Sequence, residues 1–200
     1  MVAQPSQPHY MTVDEWRELE EQSEIKHEYI NGQVYAMAGG SLAHSFVAVN
    51  VVALLNSAFG DGPCTAYNSD AAARLSPTCY TYPDATVTCD EHDFPTTELL
   101  EIRVPRVIVE VLSDSTEARD RGVKFRYYRA CQTVQEYVLV ATKYQAVEVF
   151  RRTPNGWAIY QAYGPDEEVE LTSIGVRIPL AAFYRRTDVP ENMDEPEGQV

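Results

Sequence analysis

Between Pro105 and Ser113 the chain reads R-V-I-V-E-V-L, so Val107 to Leu112 is apolar except for one acid, Glu110. A short apolar run bounded in this way predicts a strand buried on both faces, which requires a sheet covered by other layers. An ionised carboxylate in such a strand is costly unless it is paired, neutralised or bound to a metal. Glu110 therefore calls for a partner. Asp84 offers one, following Pro83 at the start of a second strand-like segment, with Thr86 and Thr88 on its side and Ala85 and Val87 on the other. After Glu110 comes a helical segment bearing Lys124. Two acids and a lysine converging from two strands and a helix suit a hard divalent cation such as Mg²⁺, which takes oxygen ligands and is often held by one or two carboxylates.

With 200 residues, 44% of them hydrophobic, the chain can bury one core rather than two. A single domain over residues 11 to 184 is expected, between a disordered lead over residues 1 to 10 and an acidic, disordered tail over 185 to 200. No stretch approaches the roughly eighteen apolar residues that span a bilayer, and the polar start MVAQPSQPHYM has no basic region followed by an apolar core. A cytoplasmic protein without membrane contact is expected. Cys64, Cys79, Cys89 and Cys131 include no C-x-x-C pair and are expected to stay reduced and to bind no zinc. The balance of 30 acids against 16 bases gives a net charge of −14, against the basic patch usual in phosphate binders. Five of those acids lie in the tail from Asp188, which has no base. Arg119, Arg121, Lys124, Arg126 and Arg129 crowd one helical segment, readable as a phosphate-facing cluster or as a solvated helix face.

Thr12-Val13-Asp14-Glu15 has the capping-box pattern and starts a helix through about Gln22. Asn31-Gly32 between Ile25–Ile30 and Gln33–Met37 predicts a tight hairpin whose first strand carries Glu28. Ser41 is a candidate N-cap for a helix that ends near Gly60 and buries Leu42, Phe46, Val49, Val52 and Leu55, with His44 in its first turn. Strands are expected over Cys64–Tyr67, Asp70–Leu75 and Tyr80–Thr88. A surface loop follows over Asp90–Arg103, with a short helix at Thr97–Glu101. The helix that carries Arg119 to Arg129 would pack through Ala118, Phe125 and Tyr128. Strands at Val134–Val140, Ala146–Arg151, Trp157–Ala162, Val169–Leu171 and Val176–Ile178 form a C-terminal β-meander, closed by a short helix at Leu180, Ala181 and Phe183. This order predicts an α/β (α+β) fold with a mixed β-sheet flanked by helices.

The segments MTVDEWRELEEQSEIKHEYINGQVYAMAGGSLAH, SDAAARL, YPDATVTCDE, PRVIVEVLSDSTEARDRGVKFRYYR and VQEYVLV resemble the Uma-type family of restriction-endonuclease-like proteins, within the PD-(D/E)XK nuclease superfamily. The resemblance covers roughly residues 11 to 184. It implies a restriction-endonuclease-like core of helix, three strands, helix and strand, and Mg²⁺-dependent hydrolysis of DNA phosphodiester bonds, with Mn²⁺ as a substitute metal. By position, Pro83-Asp84 matches the PD element and Glu110 the acid of the second element. Leu112 stands where the superfamily lysine would be, and the family-like replacement is Lys124. The implied site is Asp84, Glu110 and the Val111 backbone carbonyl on the metal, with Lys124 positioning the attacking water. Glu28, His44 and Asp70 are supporting candidates, against bland readings as a solvated acid, a residue that satisfies a helix start and a turn cap.

Two readings from other classes stay open. The acidic charge and Leu112 suit a degenerate nuclease fold that acts as a nucleic-acid or protein binding module. Asp84 and Glu110 could instead be the acid and base of a sugar hydrolase, with Tyr80, Tyr82, Tyr127 and Tyr128 as platforms. A homodimer is expected, because a strand-rich meander leaves edges to cover.

Overall fold

The computed structural model describes residues 10–37, 39–97 and 100–192; the lead over 1–9 and the tail from 193 lie outside them. Helix α1 (Val13–Gln22) opens on the expected capping box, Thr12 and Glu15 each serving the other's backbone N–H. The hairpin of β1 (His27–Ile30) and β2 (Gln33–Ala36) turns at Asn31 and Gly32, with φ of 50° and 87°. Helix α2 (Leu42–Phe59) is capped by Ser41, whose side chain accepts from the His44 N–H. The rest runs β3 (Thr65–Asn68), β4 (Ala72–Ser76), β5 (Cys79–Thr81), β6 (Ala85–Thr88), β7 (Glu101–Ile102), β8 (Val107–Val111), α3 (Glu117–Arg119), a π turn (Asp120–Lys124), α4 (Phe125–Ala130), β9 (Glu136–Val140), β10 (Val147–Thr153), β11 (Gly156–Tyr163), β12 (Glu168–Leu171), β13 (Val176–Pro179) and α5 (Leu180–Phe183).

Two sheets share the work. A six-stranded sheet has the order β11-β10-β9-β8-β6-β3, and a five-stranded sheet the order β2-β1-β5-β4-β7. β8 is buried along its whole length and pairs antiparallel with β6 and parallel with β9. Its side chains alternate between two cores. Val107, Val109 and Val111 face α2 and α5, meeting Val47, Val51, Leu55, Leu180 and Phe183. Ile108 and Leu112 face the opposite layer, where Tyr128, Tyr137 and Leu139 meet Ile30 and Leu75 of the five-stranded sheet. Trp16 of α1 closes that sheet's far side against Tyr29 and Tyr80, its ring N–H bonded to the His27 carbonyl at 2.7 Å.

Several expectations change. The run Tyr80–Thr88 is two strands in two sheets, because Pro83 offers no N–H to a ladder and the chain crosses between sheets there. α2 buries Val47, Val51 and Leu55, while Leu42, Phe46 and Val49 are exposed. It has no charged residue to mark an outer face, so periodicity did not pick the inner one, and at 18 residues with mean hydropathy 1.6 it is long and apolar enough to cross a bilayer by composition. Ala118 is exposed, and the charged side chains Asp120 and Lys124 are buried in its stead. The expected helix at 97–101 falls partly on residues outside those described, and Glu101 belongs to β7, parallel to β4. β12 and β13 form a separate two-stranded sheet beyond the meander.

Cys64 and Cys89 form a disulfide, against the expectation of four reduced thiols. The β3–β6 ladder sets Thr65 opposite Thr88, so the cysteines just beyond fall opposite one another. Cys79 and Cys131 are buried and free.

One buried ion pair binds the meander to the β12–β13 turn. Glu136 accepts from Arg151 Nε at 2.8 Å, from the backbone N–H groups of Thr172 and Ser173 at 3.0 Å each, and from Ser173 Oγ at 2.6 Å. Arg151 also donates to Gln161, Tyr163 and the Glu170 carbonyl. Removing one partner strands a buried charge, so Glu136→Ala is expected to lower stability in urea unfolding by about 3–5 kcal/mol. A loss of under about 1 kcal/mol, the range of a surface pair, would contradict this account.

Candidate active site

The strand register brings the two acids together. Ala85 pairs with Val109 and Thr86 with Ile108, so one step further the ladder sets Asp84 beside Glu110. Asp84 Oδ2 accepts from the Val111 N–H at 2.7 Å, tying the acid to the strand that carries its partner. Glu110 is 3% exposed. Its Oε1 accepts from Lys124 Nζ at 2.9 Å and from the Tyr128 hydroxyl at 2.5 Å. Leu112 is buried in the core, so the ammonium at this acid comes from Lys124 on the helical segment.

Lys124 points inward where the helix changes pitch. The π turn Asp120–Lys124 joins α3 to α4, and single π turns inside helices are frequent at functional sites. Asp120, Lys124 and Tyr128, four residues apart, form one buried stripe. Besides Glu110, the ammonium meets Glu28 Oε1 at 3.1 Å and Asp120 Oδ1 at 3.6 Å. Arg119 holds the other Glu28 oxygen at 2.7 Å and lies over the ring of Tyr35, which pairs with Glu28 across the hairpin.

Burial pushes the Glu110 carboxyl up to about 8, against the pull of Lys124. Burial raises Asp120 as well. For Lys124, burial works against the charged form, but Glu110, Glu28 and Asp120 outweigh it and hold the ammonium above its ordinary value. His44 Nε2 stands 3.4 Å from Asp84 Oδ2. That contact raises the imidazole above 6.5 against its desolvation, and a hydrogen bond to the Val111 backbone adds to it.

Asp84 and Glu110 on adjacent strands, with Glu28 and Asp120 behind Lys124, give the site the oxygen chemistry of a hard divalent cation. Glu28 Oε1 and Asp120 Oδ1 are buried against the same ammonium, at 3.1 and 3.6 Å, and with Glu110 these acids outnumber the ammonium they share. A surplus of carboxylate oxygen is the chemistry that Mg²⁺ and Mn²⁺ take. Among the described residues, no three His, Cys, Asp or Glu side chains already stand in metal-holding geometry. Asp84 and His44 border a cleft of about 710 Å³, walled by Gly40, Ala48 and Val52 on one side and Tyr67 and Asn68 on the other, with no lysine or arginine among its lining residues.

The structure thus brings together Asp84, Glu110, Lys124, Glu28, His44 and the Val111 backbone. It leaves Asp70 outside: that side chain is 78% exposed, pairs with Lys26 at 3.2 Å and accepts from Asn68 Nδ2, while the Asn68 side chain caps the turn after β3 by accepting from the Asp70 N–H. The basic cluster disperses. Arg119 and Lys124 serve buried acids, Arg121 pairs with Glu117 and Glu148, and Arg129 lies over Phe125. Tyr80, Tyr82 and Tyr128 are buried in the cores and offer no sugar platform. Sequence reasoning missed Asp120 and the hydroxyl of Tyr128, although their four-residue spacing about Lys124 would have placed them on its face.

The family model Uma2, described as "Putative restriction endonuclease", matches residues 13–181. Two proteins of Synechocystis sp., Uncharacterized protein slr1290 and Uncharacterized protein sll1609, are 38% and 30% identical over 176 and 164 residues, covering 88% and 81% of this chain and 92% and 93% of their own. A crystal structure from Anabaena variabilis, described as "a putative nuclease belonging to DUF820", aligns with a TM-score of 0.69 at 20% identity, covering 87% of this chain and 97% of that one. The fold is shared.

In metal-free protein, NMR titration of the His44 ring is expected to give a value above 6.5 that falls in Asp84→Asn. An unshifted wild-type ring would contradict the Asp84 contact. Glu110 sets a second pH dependence. Its neutral carboxyl keeps a proton between 4.5 and about 8 that the unfolded chain has released, so this contribution is full below 4.5 and is lost as pH rises toward 8. Urea unfolding of Glu110→Gln, which has no proton to lose, is expected to show a shallower fall over that window than wild type; equal slopes would show Glu110 ionised in the fold.

Proposed function

This chain belongs to the Uma2 family of restriction-endonuclease-like proteins, and on that premise we propose that it is an Mg²⁺-dependent endonuclease that hydrolyses phosphodiester bonds of DNA in the cytoplasm. The observation that carries the reading is Lys124: an ammonium from the helical segment stands 2.9 Å from Glu110, on the strand beside Asp84, although Leu112 fills the position where the superfamily lysine would be. Asp84, Glu110 and the Val111 carbonyl would hold Mg²⁺, or Mn²⁺ in its place. Such an ion supplies Lewis acidity at a phosphoryl oxygen and lowers the pKa of bound water.

The protein's own groups do the rest. Lys124 orients the attacking water and offsets charge that develops on the phosphate. Glu28 and Asp120 hold that ammonium in place, Tyr128 orients Glu110, and His44 steadies Asp84 at the cleft.

One observation favours the binding-module reading. Lys124 is shared among three acids and no lysine or arginine lines the cleft, where His44 is already in contact with Asp84, so little positive charge is left for a phosphate backbone. Cleavage of supercoiled plasmid and of single-stranded DNA in Mg²⁺, Mn²⁺ or EDTA separates the two. Nicking is expected to need the metal and to fall by roughly 10²–10³-fold in Asp84→Asn and Lys124→Ala at matched purity and matched melting. Equal behaviour of wild type and Asp84→Asn on every substrate, with both folded, would sink the nuclease reading.

A further inference from the structure

The 18 residues of α2 include no Asp, Glu, Lys or Arg. Its inner stripe, Val47, Val51 and Leu55, is at most 1% exposed. The opposite side is apolar too: Leu42 is 91% exposed, Phe46 39% and Val49 61%, and Ala53 continues the line. A groove of about 640 Å³ runs between these side chains and the segment after α5, bordered there by Arg186 and Asp188. A contiguous apolar stripe of this kind on an otherwise strongly charged chain marks an interaction surface.

We infer that a second copy of this chain covers the stripe, α2 against α2 across a two-fold axis, a surface distinct from the meander edges. The rim of the groove is self-complementary in charge. At −14, two copies repel each other over most of their surfaces, and α2 itself adds no charge to that repulsion. Arg186 and Asp188 border the groove with opposite signs, both exposed, and neither takes part in an ion pair among the described residues. In a two-fold contact each residue's neighbour meets its counterpart reciprocally, so Arg186 of one copy can face Asp188 of the other. The helix is not available to leave the fold for a bilayer. Asn50 donates to the carbonyls of Phe183 and Arg185, and Asn56 exchanges two bonds with the Ala66 backbone. Ser45 and Val49 line both this groove and the cleft that holds Asp84, so a second copy would stand along the rim of the cleft.

The test is sedimentation velocity and light scattering of the full chain over a range of concentrations. The wild type is expected to dimerise. Leu42→Glu with Val49→Glu is expected to give a monomer with an unchanged melting temperature, since both side chains lie outside the core. Arg186→Asp is expected to weaken dimerisation about tenfold, and adding Asp188→Arg to restore it. A monomeric wild type at every concentration would overturn the proposal, as would a dimer that survives Leu42→Glu with Val49→Glu. So would a monomer that co-sediments with phosphatidylcholine–phosphatidylglycerol vesicles, which would assign the stripe to a membrane surface. None of these readouts depends on nuclease activity.

Discussion

The buried ammonium of Lys124 is the contact through which the parts of this structure meet. Glu28 comes from β1 of the five-stranded sheet, Glu110 from β8 of the six-stranded sheet, and Asp120 from the turn of helix that carries the lysine. Three buried acids around one ammonium are a poor source of stability, because desolvation offsets most of the attraction. The arrangement persists because its surroundings hold it: Tyr128 donates to Glu110, Arg119 to the far side of Glu28, and Tyr137 to the carbonyl of Asp120. Carboxylates kept close together and partly unsatisfied suit the chemistry of a cation site.

The far end of the molecule uses the same kinds of side chain to a different end. Glu136 and Arg151 are also buried and charged, yet the hydroxyls and N–H groups of Thr172 and Ser173 surround the acid with donors. That pair is a joint between strands. The contrast between one carboxylate saturated by donors at Glu136 and three carboxylates that share one ammonium at Lys124 separates a structural from a chemical use of buried charge.

α2 links the cleft to the molecular surface. Its inner stripe seals the valine core, its first turn presents His44 to Asp84, and its outer stripe is apolar and exposed. Apart from His44, which is held by Asp84, the cleft beside it has no basic lining, so approach of a polyanion depends on charges elsewhere on the chain or on a bound cation.

Much of this was legible in order along the chain. The capping box at Thr12, the Asn31-Gly32 turn, the buried strand around Glu110 and the Pro83-Asp84 pair are local signals, because caps, tight turns and apolar runs depend on near neighbours. Facing is a different matter. α2 is apolar all round, so only packing against the six-stranded sheet decided that Val47, Val51 and Leu55 go inside and Leu42 stays out. Strand pairing set Cys64 against Cys89 and Asp84 beside Glu110 across 25 and 26 residues of sequence. A π turn decided that Asp120 and Lys124 point inward. Apart from the run across Pro83 and the segment at Glu101, the sequence by itself determined which segments are helix, strand and turn, and which acids sit in apolar strands; only tertiary structure decided which of them share a site, since ladder register and helix facing are set by contacts between distant segments.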